Sequence, residues 1–116
     1  MSEASESSPF QQVRWVDKKA VVEVAGDIDL NSSLRFQQDL LNLLDRRPER
    51  IVVDLSRVPY MDSSGVASLV KLLSRTRKGN CSLLLAGLSD RVLSIFEITR
   101  LDSVFDIRPS VEEALQ

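Results

Sequence analysis

Asp62-Ser63-Ser64-Gly65 puts one carboxylate and two hydroxyls side by side, in front of a segment whose apolar residues recur at helical spacing. The stretch before it, Ile51-Val-Val-Asp-Leu55, is apolar and β-branched, so the hydroxyls stand between a strand and a helix. The first turn of a helix has amides without intrahelical partners and carries the positive end of the dipole. An anion such as a phosphate is favoured at that place. Asp62 is a carboxylate in the same field, and Gly65 removes a side chain where a partner surface could come close. The plainer reading is an N-cap worth about 1 kcal/mol, and spacing alone favours it.

The rest of the composition turns this site away from catalysis. The chain has 116 residues, one cysteine and no histidine. A Ser-His-Asp triad within the chain is therefore impossible, as are phosphohistidine chemistry and an internal disulfide, and a zinc site is disfavoured. A hydrolase built on Ser63 would need a lysine base, and none is near it in sequence. Fifteen basic residues against 17 acidic ones argue against nucleic acid as the main partner. Aromatics at 5% are too few for a stacking platform, and they leave an aliphatic core. No apolar run approaches the ~20 residues that span a bilayer. The N-terminus lacks the pattern of a signal peptide. The expectation is a cytoplasmic protein without membrane insertion, with no cofactor and no enzymatic activity.

Elements that would position the site follow in order. Residues 1–8 are Ser/Glu-rich and read as a flexible tail; 9–116 read as one domain. Phe10–Trp15 and Lys19–Val24 alternate as a hairpin joined at Val16-Asp17-Lys18. Asp29 or Asn31 is positioned to cap a helix over 32–44, with Phe36, Leu40, Leu43 and Leu44 on one face, ended by Pro48. Arg50–Leu55 reads as a strand covered on both faces. Ser64–Lys78 reads as a helix with a stripe of Val66, Leu69, Val70 and Leu73, stopped in left-handed fashion at Gly79-Asn80. A buried strand over 82–86, a helix opened by Ser89-Asp90, a short edge strand over 104–107 and a final helix capped at Ser110 complete the chain. The order is β-β-α-β-α-β-α-(β)-α, an α/β fold with a mixed four- to five-stranded sheet covered by helices. Strand 50–55, its helix and strand 82–86 form a parallel βαβ unit, which places Ser63 beyond a strand's carboxyl end, where ligands of open α/β sheets bind.

Val58-Pro-Tyr-Met-Asp-Ser-Ser-Gly-Val66 resembles the signature of STAS domains, the family of bacterial anti-sigma factor antagonists. Gly26-Asp-Ile-Asp29 is similar to the family's Gly-Glu-Leu-Asp after the hairpin, with Asp27 in place of the frequent Glu. Ile51–Leu55, Leu83–Gly87 and Ile98-Thr-Arg-Leu101 match its later pattern, so the resemblance covers roughly residues 10 to 115. Ile98–Leu101 lacks the family's frequent glycine before the leucine. The resemblance implies a single-domain STAS-like fold and a switch. Ser63 would be phosphorylated by an anti-sigma factor that is itself a serine kinase. The unmodified protein would sequester that kinase, and a phosphoserine phosphatase would restore it. Asp62 and Ser64 flank the switch, Asp29 would lie near the partner surface, and Tyr60 and Gly65 complete the expected contact set. The same resemblance allows a different role, a non-switching accessory subunit of a membrane lipid transporter.

Remaining candidates have plainer readings. Asp54 at a strand end suits a receiver-type acceptor aspartate only if a second carboxylate pair and a strand-end lysine accompany it, and neither is evident. Asp27 and Asp29 form an Asp-x-Asp pair that suits Mg²⁺ less than a turn and cap. Cys81 reads as a small semi-buried residue, and Trp15 as packing.

Overall fold

The computed structural model describes residues 8–116. The expected tail therefore lies outside the described residues except for Ser8, which is half-buried and whose hydroxyl accepts the Phe10 N–H at 3.1 Å. Strands β1 (Phe10–Val16) and β2 (Lys19–Ala25) pair antiparallel. The turn between them needs only Asp17 and Lys18, with Asp17 left-handed at φ 57°. Strands β3 (Arg50–Arg57), β4 (Ser82–Ala86) and β5 (Asp106–Arg108) follow in parallel, and the sheet order is β1-β2-β3-β4-β5. Helices α1 (Ser33–Asn42), α2 (Ser63–Arg77) and α3 (Asp90–Ile98) connect the parallel strands. A four-residue α4 (Val111–Ala114) closes the described chain.

Strand periodicity divides the core into two layers. Ala20, Val22, Ile51, Val53, Leu83 and Leu85 face one side, where Phe36 and Leu40 of α1, Leu69 and Leu72 of α2, and Val92 and Phe96 of α3 cover them. Val21, Val52, Leu84 and Ala86 face the other side, under Ala114 of α4. The consecutive β-branched run in β3 is thus buried on both faces, and the sheet is mixed and five-stranded, as expected. Arg50 ties α4 to β3 by donating to the Ala114 carbonyl at 2.7 Å.

Several local expectations are corrected. Neither Asp29 nor Asn31 caps α1; Ser32 holds that position without a side-chain cap bond, because its hydroxyl accepts the Asp29 N–H at 3.1 Å instead. Asp29 and its neighbours form a turn in front of α1 rather than a cap on it. Gly79 does not supply a left-handed stop, since its φ lies outside that region; the Lys78 and Gly79 amides turn back to the Arg75 and Thr76 carbonyls. Val70 is 40% exposed, and Leu72 is the residue that joins the core in its place. The edge strand begins at Asp106, because a 3₁₀ turn over Leu101–Ser103 consumes the residues before it. Phe105 is buried edge-on against Phe96, with centroids 5.4 Å apart.

That 3₁₀ turn starts at the position where the glycine was missing. Arg100 stands there at φ 64°, in the left-handed region, and is exposed. A left-handed L-residue costs about 1–2 kcal/mol, and glycine's extra freedom in the unfolded chain returns about half of that. Arg100→Gly should therefore raise unfolding stability by about 0.5–1 kcal/mol in a urea titration. A lower midpoint would mean that the arginine side chain contributes more than its backbone costs.

Candidate functional site

Two loops meet at the carboxyl ends of β2 and β3, and each is apolar at its centre. Ile28 and Met61, both fully buried, form an isolated parallel bridge beyond the strands. The Ile28 N–H donates to the Tyr60 carbonyl and the Asp62 N–H donates to the Ile28 carbonyl, each at 3.0 Å. This pairing fixes the residue before Asp29 against the residue before Asp62. It brings the Gly26–Asp29 segment and the Asp62–Gly65 segment, distant in sequence, to one end of the molecule.

Asp62 is the N-cap of α2, with extended backbone at φ −100°, and Ser63 is the first helical residue. The Asp62 carboxylate oxygen Oδ1 accepts the Ser64 N–H at 2.9 Å, the Gly65 N–H at 3.4 Å and the Ser64 hydroxyl at 2.5 Å. The Ser64 hydroxyl, with support from the Ser64, Gly65 and Leu30 amides, holds the carboxyl below its ordinary value of 3.8 against a smaller opposing effect of burial. Asp62 is accordingly ionised at neutral pH. Ser64 is half-buried and spends its hydroxyl on Asp62. Ser63 is exposed, and its hydroxyl has no hydrogen-bond partner among the described residues. The two adjacent serines therefore differ in kind: one completes the cap and the other is free to react.

The cap also corrects the expected electrostatics. Two of the first-turn amides, those of Ser64 and Gly65, already serve Asp62, so the helix end carries a carboxylate before any modification. Gly65 is buried, and a Cβ there would lie 2.6 Å from Met61 Cγ and 2.8 Å from Ile28 Cγ2. The space left by its missing side chain is filled from within by the loop bridge, not opened to a partner.

Asp29 is half-buried; its carboxylate accepts the Asn31 N–H at 3.0 Å, a turn role. Tyr60 is 38% exposed, and its ring centroid lies 5.9 Å from the guanidinium carbon of Arg91 at the start of α3. Asp54 accepts the Ser56 N–H at 3.0 Å and serves the end of its strand. Among the described residues, no group of three His, Cys, Asp or Glu is placed to hold a metal ion. Cys81 is half-buried, and burial pushes its thiol pKa up.

Sequence reasoning missed the apolar residues that border this site. Leu30 is 78% exposed and Leu34 64% exposed. The Leu30 amide is one of those acting on the Asp62 carboxylate. Ser33, beside Leu34, is held against α2 by the Ser68 hydroxyl, which donates to the Ser33 carbonyl at 3.1 Å. On α2 itself, exposed Ala67 and Val70 follow Ser63 at i+4 and i+7. One signal was available: Leu30 and Leu34 are large aliphatics out of phase with the Phe36-Leu40-Leu43 stripe.

The comparisons with known proteins agree with this geometry. The family model described as STAS domain matches residues 11–114. The chain is 33% identical over 95 residues to the anti-sigma-B factor antagonist of Bacillus subtilis, covering 82% of this chain and 86% of that one. Its fold is similar to an anti-sigma-factor antagonist (STAS) domain protein from Planctomyces limnophilus, with TM-score 0.82, 18% identity, and 90% and 93% of the two chains covered. It is also similar to the Bacillus cell fate determinant SpoIIAA in its phosphorylated form, with TM-score 0.69, 19% identity, and 90% and 95% covered.

Substitutions should sort by the geometry above. Gly65→Ala should cost about 1–3 kcal/mol because the added methyl collides with buried side chains. Asp62→Ala should cost about 1 kcal/mol through the lost cap. Ser63→Ala should stay within about 0.5 kcal/mol of the parent. Urea denaturation checks all three, and a large loss in Ser63→Ala would show that its hydroxyl has a structural task. Because the folded carboxyl of Asp62 is held low, its contribution is fully present above 3.8 and is lost as pH falls through the folded value. Asp62→Asn should accordingly be less stable than the parent at neutral pH, with that deficit narrowing below pH 3.8 in thermal melts.

Proposed function

The chain belongs to the STAS domain family, among the anti-sigma factor antagonists, and we propose that it is switched by reversible phosphorylation of Ser63. The observation that carries this reading is the free, exposed hydroxyl of Ser63 in the first turn of α2, beside a serine whose own hydroxyl is consumed by the cap. A kinase can take this hydroxyl without dismantling any hydrogen bond given by the described residues. The Bacillus subtilis relative is named an anti-sigma-B factor antagonist, and one fold neighbour is a phosphorylated form, which supports the reading.

In this reading the partner is an anti-sigma factor with serine kinase activity. The unmodified protein binds it and keeps it from its sigma factor. Affinity comes from the apolar border: fully burying an exposed leucine contributes about 1.5–3 kcal/mol, and Leu30, Leu34 and Val70 are exposed. Asp29, Asp62, Ser64 and Tyr60 lie on the same end and take part in the contact, while Gly65 supports it from below. Phosphorylation adds close to two negative charges at Ser63. Two unit charges about 4 Å apart repel by about 4 kcal/mol at an effective dielectric of 20. Asp62 occupies the helix end, so the phosphate projects outward, towards the partner. A third of that repulsion lowers affinity about tenfold, so release needs no refolding of the antagonist. A phosphoserine phosphatase resets the switch.

Incubation with ATP and the cognate kinase should place one phosphate on the protein, at Ser63, and none on Ser63→Ala. Ser63→Asp should weaken the complex about tenfold or more, measured by calorimetry. Leu34→Ser should weaken it about tenfold with an unchanged melting temperature, since the side chain is exposed. An unmodified protein after incubation with an active kinase would overturn the reading. Binding indifferent to Ser63→Asp would instead favour the constitutive accessory role beside a transporter.

A further inference from the structure

We infer that the end of the molecule opposite Ser63 carries a second binding site, for a small organic monoanion with an apolar body. A cavity of about 460 Å³ lies at the amino ends of β3 and β4, between the hairpin turn, the chain before β3 and the turn after α2. That volume is in the range of small-molecule sites, about 300–1,000 Å³. Backbone hydrogen bonds fix its walls: the Glu49 N–H donates to the Lys18 carbonyl at 2.8 Å, and the Ser82 N–H donates to the Glu49 carbonyl at 3.1 Å. The site is therefore formed before any ligand arrives.

Charge sets the ligand class. Lys18, Arg47 and Arg75 come to this cavity from three different segments, and only Glu49 opposes them. None of the three cations has an ion pair or side-chain hydrogen bond among the described residues. The carboxyl end of α2 adds only about half a negative charge, so positive charge stays in excess by about one and a half units. This suits a monoanion better than a nucleotide's several charges. Arg47 also holds a left-handed backbone at φ 52°, which places a strained residue on the rim. The floor is apolar: Leu44 and buried Pro48 line it, and Thr76 turns its hydroxyl away to the Leu73 carbonyl at 2.9 Å. A carboxylate on a short aliphatic or aromatic body meets both requirements. The site lies at the far end of α2 from Ser63 and does not rest on the switch.

Cys81 lines the same cavity and is the single cysteine of the chain, so it reports occupancy directly. Its alkylation by N-ethylmaleimide, followed by mass spectrometry at fixed pH, should slow about tenfold in saturating octanoate. Octylammonium and inorganic phosphate should protect little, since one has the wrong charge and the other has no apolar body. Arg47→Gln and Arg75→Gln should each weaken octanoate protection about fivefold, and Arg75→Lys should restore most of it. Melting curves of the variants establish that they are folded. Absence of protection at about 10 mM octanoate, equal protection by octylammonium, or protection unchanged in both Gln variants would each overturn the inference.

Discussion

A pairing outside the regular sheet holds the site together. Ile28 and Met61 extend the register of β2 and β3 past their ends by one buried bridge. Both side chains are enclosed, and Gly65 is the residue small enough to let α2 start against them. The direction of α2, the proximity of Asp29 to Asp62 and the outward setting of Ser63 follow from this contact. Loops at the ends of parallel strands are ordinarily the most adaptable parts of an α/β protein. Here two of them are tied by hydrogen bonds and packed like core.

Above that bridge, one carboxylate decides the chemistry. Asp62 satisfies the free amides of α2 and draws in the Ser64 hydroxyl, which lowers its own pKa. A helix N-terminus left open would attract phosphate inward and bury its charge in the domain's own field. With the Ser64 and Gly65 amides already taken by Asp62, a phosphate on Ser63, as proposed above, would face outward. The same cap that stabilises the fold thus sets where added charge is felt. The apolar residues around it, Leu30, Leu34 and Val70, are exposed, and the partner proposed above would remove them from water.

Much of the architecture was legible in the residues alone. The β-branched run at 51–53 announced a strand buried on both sides, and the hairpin, the parallel βαβ unit and the Ser89 and Ser110 caps followed from short-range pattern. Errors gathered where a local signal met a tertiary demand. Val70 sits at a plausible helical phase, yet the helix rolls so that Leu72 packs instead. Gly79 looked like a stop signal, but the turn after α2 closes without a left-handed residue; Arg100 takes the left-handed conformation instead, despite its Cβ. Asp29 has the right chemistry for a cap and is used in a turn, because the Ile28 bridge fixes the backbone beside it.

The amino-acid sequence by itself determined the order of strands and helices, the aliphatic core, the absence of histidine chemistry and the location of the reactive hydroxyls. These depend on residue type and on spacings of a few positions, which local physics reads directly. Which of two neighbouring serines is free, which carboxylate holds the helix end, what Gly65 makes room for, and which leucines border the site were settled only in three dimensions. The first two rest on the local geometry of the Asp62 cap, and the last two on the meeting of chain segments more than thirty residues apart, Ile28 with Met61 and Ser33 with Ser68. Spacing along the chain carries no record of that meeting; close packing of the two loops decides it.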